Sequence, residues 1–295
     1  MSNTMWPTIL LLGKNGQVGW ELQRTLAPLG QVIALDQPDL DLTKPEQIRA
    51  QVREVKPNLI VNAAAYTAVD RAEGEPELAM AINGIAPGIL AEEAKALGAT
   101  LVHYSTDYVF DGTKKEPYTE ADEPNPINVY GKTKLAGEQA IQAVGGNNLI
   151  FRTSWVYGMR GNNFLLTILR LAKERDELRI VDDQIGAPTW CRMLAEATAL
   201  ILARGEEGLA DNWGLYHMTA GGKTTWYGFA KGILEDVKLN KKEPISMIPL
   251  LTHDYFTLAK RPMNSVLSNH HMVDKLQIRI PSWKSQLSSA LGLEG

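Results

Sequence analysis

The sequence predicts an α/β protein with a doubly wound, parallel sheet. Three observations predict this fold class. Short apolar segments of strand length alternate with segments of helical spacing, a glycine-rich turn follows the first apolar segment, and polar side chains follow a later one. This alternation is typical of parallel strands joined by helices that cover both faces of a sheet.

The first half of the chain carries the clearer pattern. The stretch 111–126 is rich in charge, glycine and proline, so we expect a surface loop there. We predict strands over residues 8–12, 31–35, 58–62, 100–105 and 148–152. We predict helices over residues 20–26, 45–55 and 75–97, and a further helix that carries Tyr130.

The second half has a looser pattern, with no internal repeat. We predict helices over residues 163–175, 191–203 and 224–234, and strands over residues 179–181 and 215–219.

The composition argues against several classes of protein. The chain has 30 basic and 34 acidic residues and a net charge of −4, so it lacks the basic footprint of a nucleic-acid-binding protein. Its one cysteine, Cys191, excludes an internal disulfide framework and fits a reducing compartment, which we take to be the cytoplasm. The sequence has no Cys/His cluster of the zinc-binding type, so no metal is expected.

The sequence also argues against a secreted or membrane protein. Residues 1–7 lack the basic start and the long apolar core of a signal peptide. No apolar stretch approaches the ~20 residues that are needed to span a bilayer.

The glycine-rich turn predicts a dinucleotide site. It runs from Gly13 through Gly16 to Gly19, between the first strand and a helix. Glycines let such a turn approach a pyrophosphate, which binds at the positive end of the following helix. Asp36 ends the second strand, 20 residues after Gly16, where an acidic side chain binds a ribose hydroxyl. This order of features favours dinucleotide binding over a purely structural loop.

Tyr130 and Lys134 form a second candidate site. Residues four apart lie on one face of a helix, and a nearby cation lowers the pKa of a phenol toward the range useful for acid–base catalysis. The spacing is weak evidence alone, since an exposed tyrosine and a solvated lysine would also produce it.

A third feature follows the predicted strand 100–105. Ser105, Thr106 and Asp107 come where that strand ends, and ligands of open α/β sheets bind at the carboxyl ends of the strands. A turn stabilised by the same three side chains is the alternative.

With these features together, the chain resembles the extended short-chain dehydrogenase/reductases, and within them the dTDP-4-dehydrorhamnose reductase family. The resemblance extends from about residue 9 to about residue 283. It rests on residues 13–19, 62–70, 105–110, 130–134, 152–157, 183–189 and 261–265.

The resemblance implies a Rossmann-type fold with a smaller, partly interleaved C-terminal substrate domain. We expect residues 1–155 to form the dinucleotide-binding domain and residues 156–295 to form mainly the substrate domain. The implied activity is NAD(P)H-dependent reduction of the C4 ketone of dTDP-4-dehydro-β-L-rhamnose to dTDP-L-rhamnose, the last step of dTDP-rhamnose synthesis. The implied partners are NADPH or NADH and a dTDP-sugar, and the family also allows a homodimer.

The resemblance assigns the chemistry to three residues. Tyr130 is the expected general acid, Lys134 binds the nicotinamide ribose and lowers the pKa of Tyr130, and Thr106 hydrogen-bonds the developing alkoxide. The expected cofactor-binding residues are Gly13, Lys14, Asn15, Gly16, Gln17, Val18, Gly19, Asp36, Asp41, Leu42, Ala63, Ala64, Ala65, Tyr130 and Lys134.

The substrate residues each keep an alternative. Thr106 and Asp107 would contact the sugar, although Asp107 is as well suited to cap a local turn. Trp155 would stack on a sugar or base, or lie in the core. Arg261 would clamp the diphosphate because a guanidinium matches phosphate geometry, or would form an ordinary surface ion pair.

Three further residues are expected to have structural roles or to argue against a metal. Asn83 is expected to be structural, and His103 to be a satisfied core histidine. Arg192 stands where some family members place an acidic magnesium ligand, so a metal-bridged dimer is not expected.

Two rival functions remain at this point. Within the same fold, the chain could reduce another 4-keto deoxysugar nucleotide, or act on another nucleotide-sugar as an epimerase or dehydratase. A dehydratase of this superfamily carries an acidic residue just after the threonine and usually a second one, whereas here Asp107 is followed by Tyr108. A non-catalytic regulatory subunit of the same fold would not need Thr106, Tyr130 and Lys134 together.

Overall fold

A computed structural model describes residues 7–237 and 245–292. Residues 1–6, in which no signal peptide is expected, lie outside the described residues. The strands are β1 (Thr8–Leu12), β2 (Gln31–Leu35), β3 (Leu59–Asn62), β4 (Thr100–Thr106), β5 (Asn148–Thr153), β6 (Val156–Tyr157), β7 (Glu177–Val181), β8 (Ile185–Gly186), β9 (Thr189–Trp190), β10 (Gly214–His217), β11 (Thr224–Thr225) and β12 (Ser246–Leu250). The helices are α1 (Gln17–Leu26), α2 (Pro45–Val55), α3 (Val69–Ala72), α4 (Pro76–Met80), α5 (Ala86–Leu97), α6 (Val129–Val144), α7 (Phe164–Glu174), α8 (Cys191–Leu202), α9 (Gly205–Leu209), α10 (Trp226–Asp236), α11 (His270–Leu276) and α12 (Trp283–Ala290).

The central sheet has six parallel strands in the order β2-β1-β3-β4-β5-β10. From β1 the chain moves outward to β2 and then returns to form β3 on the other side of β1. Ligands of such sheets bind in the crevice at the carboxyl ends of the strands where the direction reverses. This topology confirms the predicted fold class and places a crevice beyond the ends of β1 and β3.

The side chains of β1 show why the sheet is covered on both faces. Successive side chains of a strand point to opposite faces, and residues 9–12 are all buried. Ile9 and Leu11 pack in one hydrophobic cluster with residues of α1 and α8. Leu10 and Leu12 pack in another with residues of α2 and α5. The near-continuous apolar run of the sequence therefore corresponds to a strand buried on both sides.

The second half of the chain completes the central sheet and also forms short two-stranded sheets with their own hydrophobic cluster. β10 pairs with β5 at the edge of the central sheet, which confirms the predicted interleaving. The remaining strands form two-stranded pairs, β7 with β12, β8 with β11 and β6 with β9. Another hydrophobic cluster contains Phe229 and Trp283 together with residues of α7 and β7. The division of the chain at residue 155 stays a prediction.

Some element boundaries differ from the prediction for local reasons. α1 begins at Gln17, inside the glycine motif, because Gly16 is its extended N-cap residue. The predicted helix 75–97 contains a π-helical turn, Ala81–Ile85. The predicted surface loop 111–126 is irregular but anchored, since Tyr118 is 4% exposed and stacks on Phe110 with a ring-centroid distance of 4.2 Å. Within residues 7–237 and 245–292, no helix is long and apolar enough to cross a membrane.

A buried ion pair joins α6 to the sheet. Arg152 of β5 donates to Glu138 of α6 from Nη2 at 2.6 Å and from Nε at 3.0 and 3.1 Å. Both side chains are 3% exposed or less, and the Ser105 hydroxyl also donates to Glu138. Because α6 carries Tyr130 and Lys134, this pair fixes the helix that supplies the candidate catalytic side chains.

We expect Arg152→Met to lower the free energy of unfolding by ~3–5 kcal/mol, because it leaves the Glu138 carboxylate buried without its cation. Urea unfolding of both proteins measures the loss. The matched control is Arg170→Met, which removes an exposed pair with Glu174 and should change stability little. Equal losses in the two variants would contradict a special role for the buried pair.

Candidate active site

A cavity of about 510 Å³ lies at the carboxyl ends of the strands where the chain direction reverses. It brings together the glycine turn, the end of β2, the end of β3 and the start of α6. Of the residues predicted to bind a cofactor, those that line it are Gly13, Asn15, Gly16, Gln17, Val18, Asp36, Leu42, Ala63, Ala64, Ala65, Tyr130 and Lys134. Those that do not line it are Lys14, Gly19 and Asp41.

The glycine turn is shaped for close approach of the backbone. Gly13 has a φ of 85°, and a Cβ there would lie 2.6 Å from the backbone nitrogen of Ala64. A Cβ on Gly19 would lie 1.9 Å from the carbonyl oxygen of Gly13. Gly16 precedes α1 without a side-chain cap, so the first amides of this helix face outward as donors for an anion. The turn therefore fits the pyrophosphate of a dinucleotide.

Asp36 lies at the end of β2 and lines the same cavity. Its carboxylate accepts hydrogen bonds from the backbone nitrogens of Asn15, at 3.0 Å, and Gln37, at 2.9 Å. Lys14 pairs with Asp39, at 2.6 Å between Nζ and Oδ2, and not with Asp36. The positive charge of Lys14 is thus already partly neutralised.

Asp41 makes a local turn beside the cavity. Its carboxylate accepts hydrogen bonds from the backbone nitrogen and the hydroxyl of Thr43, at 2.9 and 2.7 Å. These bonds lower the pKa of the Asp41 carboxyl. The neighbouring Leu42 supplies the contact with the cavity wall.

Tyr130 and Lys134 both reach the cavity, because α6 begins just beyond the end of β4. Asn128 caps this helix by accepting a hydrogen bond from the Gly131 backbone nitrogen at 2.7 Å. The Lys134 ammonium group lies against β4, 2.5 Å from the carbonyl oxygen of Tyr104 and 3.2 Å from Nε2 of His103.

The expectation that Lys134 lowers the pKa of Tyr130 is wrong for the protein without ligands. Burial raises the pKa of Tyr130 to about 12, and a hydrogen bond with Thr106 opposes that rise only in part. Burial also lowers the pKa of Lys134 to about 8. Desolvation disfavours both charged forms and outweighs the attraction expected between them.

Thr106 and Asp107 lie close to Tyr130 and bond to each other. The Thr106 hydroxyl donates to the Asp107 carboxylate at 3.1 Å and accepts from the Tyr108 backbone nitrogen at 3.1 Å, which caps a short 3₁₀ turn, Asp107–Val109. Asp107 is 2% exposed, and burial raises its pKa to about 7. Thr106, and not Asp107, therefore caps this turn, and Oδ2 of Asp107 is buried without a hydrogen-bond partner among the described residues.

The two other substrate candidates make contacts inside the protein. Trp155 has a φ of 46° and stacks on Trp226, with ring centroids 3.5 Å apart and planes 2° apart. Arg261 forms two bonds with the Asp70 carboxylate, at 2.6 and 3.2 Å, with 20% of its side chain exposed. One face of the indole and one edge of the guanidinium are therefore occupied by neighbours.

Several lining residues could not be recognised in the sequence. Gly161 and Asn162 reach the cavity from the segment after β6, and nearby the Arg160 guanidinium lies 3.5 Å from the ring centroid of Trp20. No motif marks these positions, because the contact depends on how the second half folds back over α1.

Asn83 and His103, the two residues expected to be structural, both have hydrogen-bond partners inside the protein. The Asn83 side chain accepts from the Tyr66 backbone nitrogen at 2.8 Å and donates to the Tyr66 carbonyl oxygen at 3.0 Å. His103 is 1% exposed, with Asn62 and Lys134 beside its two ring nitrogens.

The described residues contain no group of three or more His, Cys, Asp or Glu side chains that could hold a metal ion. Arg192 stands where some family members place an acidic magnesium ligand. Its Nε lies 3.5 Å from the Glu21 carboxylate and 3.7 Å from the Glu196 carboxylate.

Comparison with known proteins shows the family to which the chain belongs. A family model described as the RmlD substrate binding domain matches residues 7–293. The dTDP-4-dehydrorhamnose reductase of Burkholderia thailandensis is 50% identical over 94% of this chain and 95% of its own length. That of Escherichia coli K12 is 48% identical over 94% of each chain.

A crystal structure of the Bacillus anthracis dTDP-4-dehydrorhamnose reductase in complex with NADP superposes with a TM-score of 0.89. It is 36% identical and covers 98% of this chain and all of that one. The chain therefore belongs to the RmlD family of dTDP-4-dehydrorhamnose reductases.

Proposed function

We propose that the protein catalyses the NAD(P)H-dependent reduction of the C4 ketone of dTDP-4-dehydro-β-L-rhamnose to dTDP-L-rhamnose. The observation that carries this proposal is that Tyr130, a partly buried and protonated phenol, lines the same cavity as the glycine turn. The relatives that share about half of the residues of this chain are reductases of this substrate.

The residues of the cavity fit a nicotinamide dinucleotide. The free amides at the start of α1 would take the pyrophosphate, and Asp36 the adenosine ribose. Ala63, Ala64 and Ala65 have small side chains and leave room beside the backbone. When bound, the reduced nicotinamide supplies the hydride.

Tyr130 is the proton donor in this proposal. The Tyr130 phenol holds its proton at neutral pH because its pKa is raised. A general acid is most efficient when its pKa lies near the operating pH, so donation requires this pKa to fall when the ligands bind. Thr106 lies within hydrogen-bonding reach of Tyr130 and would bond to the oxygen on which negative charge develops. Lys134 would bond to the nicotinamide ribose from the cavity wall.

The substrate contacts of Asp107, Trp155 and Arg261 belong to the same proposal. Asp70 holds the Arg261 guanidinium in place, and the hydrogen bonds from Arg261 lower the pKa of Asp70. An ordered guanidinium loses less side-chain entropy when it binds a diphosphate. The homodimer, the cytoplasmic location and the domain boundary at residue 155 stay predictions.

We expect Tyr130→Phe to keep cofactor binding but to lose turnover by ~10²–10⁴-fold, because the proton donor is removed. The assay is oxidation of NADPH that depends on the 4-keto sugar nucleotide, and it also separates a reductase from a non-catalytic subunit. Tyr157→Phe is the matched control, since the Tyr157 hydroxyl is buried without a hydrogen-bond partner among residues 7–237 and 245–292 and should be dispensable. A Tyr130→Phe variant that kept more than a third of wild-type turnover would remove Tyr130 from the mechanism.

The cofactor preference should depend on Asp36. Asp36→Ala should raise the NADPH/NADH ratio of kcat/KM by about tenfold, ~1.4 kcal/mol, because it removes a charge that repels a 2′-phosphate. Lys14→Ala should shift the ratio toward NADH, but less, since Asp39 already pairs with Lys14. Both shifts should shrink as salt rises. Asp236→Ala, on α10, is the control, and an unchanged ratio in the Asp36 variant would mean that the ribose is recognised elsewhere.

Trp155→Ala should weaken binding of the sugar nucleotide and leave cofactor affinity nearly unchanged. Calorimetric titration with each ligand measures both affinities. Trp226→Ala is the informative comparison, because it removes the stacking partner and keeps the Trp155 ring. Equal losses for the two ligands in Trp155→Ala would show that this indole serves packing alone.

A further inference from the structure

Three buried polar side chains form a row behind the candidate active site. Asn62 at the end of β3 and His103 of β4 are neighbours in the register of the parallel strands. Nδ2 of Asn62 lies 3.1 Å from Nδ1 of His103, and Nε2 of His103 lies 3.2 Å from the Lys134 nitrogen. All three side chains are 1% exposed. Buried polar groups need hydrogen-bond partners, so the protons of these three side chains have to be arranged to give each nitrogen a partner.

The orientation of Asn62 is set by its own backbone neighbourhood. Its carbonyl oxygen Oδ1 accepts a hydrogen bond from the Ala64 backbone nitrogen at 3.2 Å. The side-chain nitrogen therefore faces His103 and donates to Nδ1. A flipped amide would place N–H groups against the N–H of Ala64 and lose this bond.

The acceptor role of Nδ1 decides the tautomer of His103. Burial, with the nearby Lys134 as a second cause, lowers the pKa of His103 well below its ordinary value, so the ring is neutral. A neutral imidazole carries one proton. Since Nδ1 accepts from Asn62, that proton is on Nε2, which points at Lys134.

An N–H that points at Lys134 favours the amine over the ammonium. An ammonium has three donors and no lone pair, so it cannot accept from Nε2, whereas the uncharged amine can. The amine also donates to the Tyr104 carbonyl oxygen at 2.5 Å. Burial also lowers the pKa of Lys134, to about 8, which likewise favours the uncharged amine.

The other groups around Lys134 do not reverse this preference. Glu138, one turn along α6, attracts a proton to Lys134, but its carboxylate is bonded to Arg152 and Ser105. Tyr130, one turn before, faces the same cavity as a protonated phenol.

We propose that His103 is a positioning residue, which presents its Nε2–H to Lys134 and thereby favours the uncharged amine in the cofactor-free protein. A weaker hold of Lys134 on its proton reduces the positive charge beside Tyr130 and so favours the protonated phenol, the form in which it can donate. This consequence rests on the proposed function, whereas the proton arrangement itself does not.

The tautomer can be measured directly on the wild-type protein. Nitrogen-15 NMR of the imidazole rings should show His103 protonated on Nε2 and unprotonated on Nδ1. The chain has 5 histidines, and loss of the signal in His103→Gln assigns it. A proton on Nδ1 of His103 would overturn the proposal.

Two substitutions test the effect on Lys134. In Asn62→Asp, a carboxylate accepts from Nδ1–H and frees Nε2 to accept from an ammonium. In His103→Gln, the side-chain carbonyl can do the same. Each should raise the NMR titration midpoint of Lys134 by at least about one pH unit, a tenfold rise in proton affinity. Lys134→Met assigns the lysine signal.

The added charge in Asn62→Asp needs its own control. The same change in a His103→Phe background keeps the charge but removes the imidazole, so a smaller shift there isolates the contribution of the ring. An equal shift with and without the imidazole, or no shift in His103→Gln, would overturn the proposal. Neither measurement requires turnover, so an inactive enzyme would contradict the proposed function and leave this result intact.

Discussion

Burial of polar and charged side chains behind the carboxyl ends of β4 and β5 is the constraint on which the rest of the site depends. Lys134, Glu138 and Arg152 are each no more than 2% exposed. Charges in such a place are costly unless they are paired or neutralised. Glu138 and Arg152 are paired, and Lys134 is moved toward its neutral form. The position of α6, and therefore of Tyr130, follows from satisfying these three groups.

A second constraint is steric and shapes the other wall of the cavity. The turn at Gly13 touches the backbone at Ala64 so closely that a single added carbon would collide with it. This contact holds the start of α1 next to the end of β3, where the sheet reverses direction. Proton donor and anion-binding helix end thus face one cavity because two independent packing requirements converge there.

Much of the fold and part of the site could be predicted from the sequence, where the cause was local. The apolar runs, the glycine turn and Asp36 depend on residues near one another, and the structure places them as predicted. The pairing of Arg261 with Asp70 and the stacking of Trp155 on Trp226 join distant segments, so no local pattern could indicate them. The direction of the Tyr130 pKa was wrong because spacing on a helix says nothing about desolvation.

Transfer of a hydride to C4 of the sugar is the central chemical claim, and isotope transfer tests it most directly. The purified protein would be given NADPH that carries deuterium at the transferable position, together with the 4-keto sugar nucleotide. Proton NMR should show dTDP-L-rhamnose in which the proton at C4 is replaced by deuterium. Deuterium at another carbon, or a product without deuterium, would contradict a direct reduction of the C4 ketone.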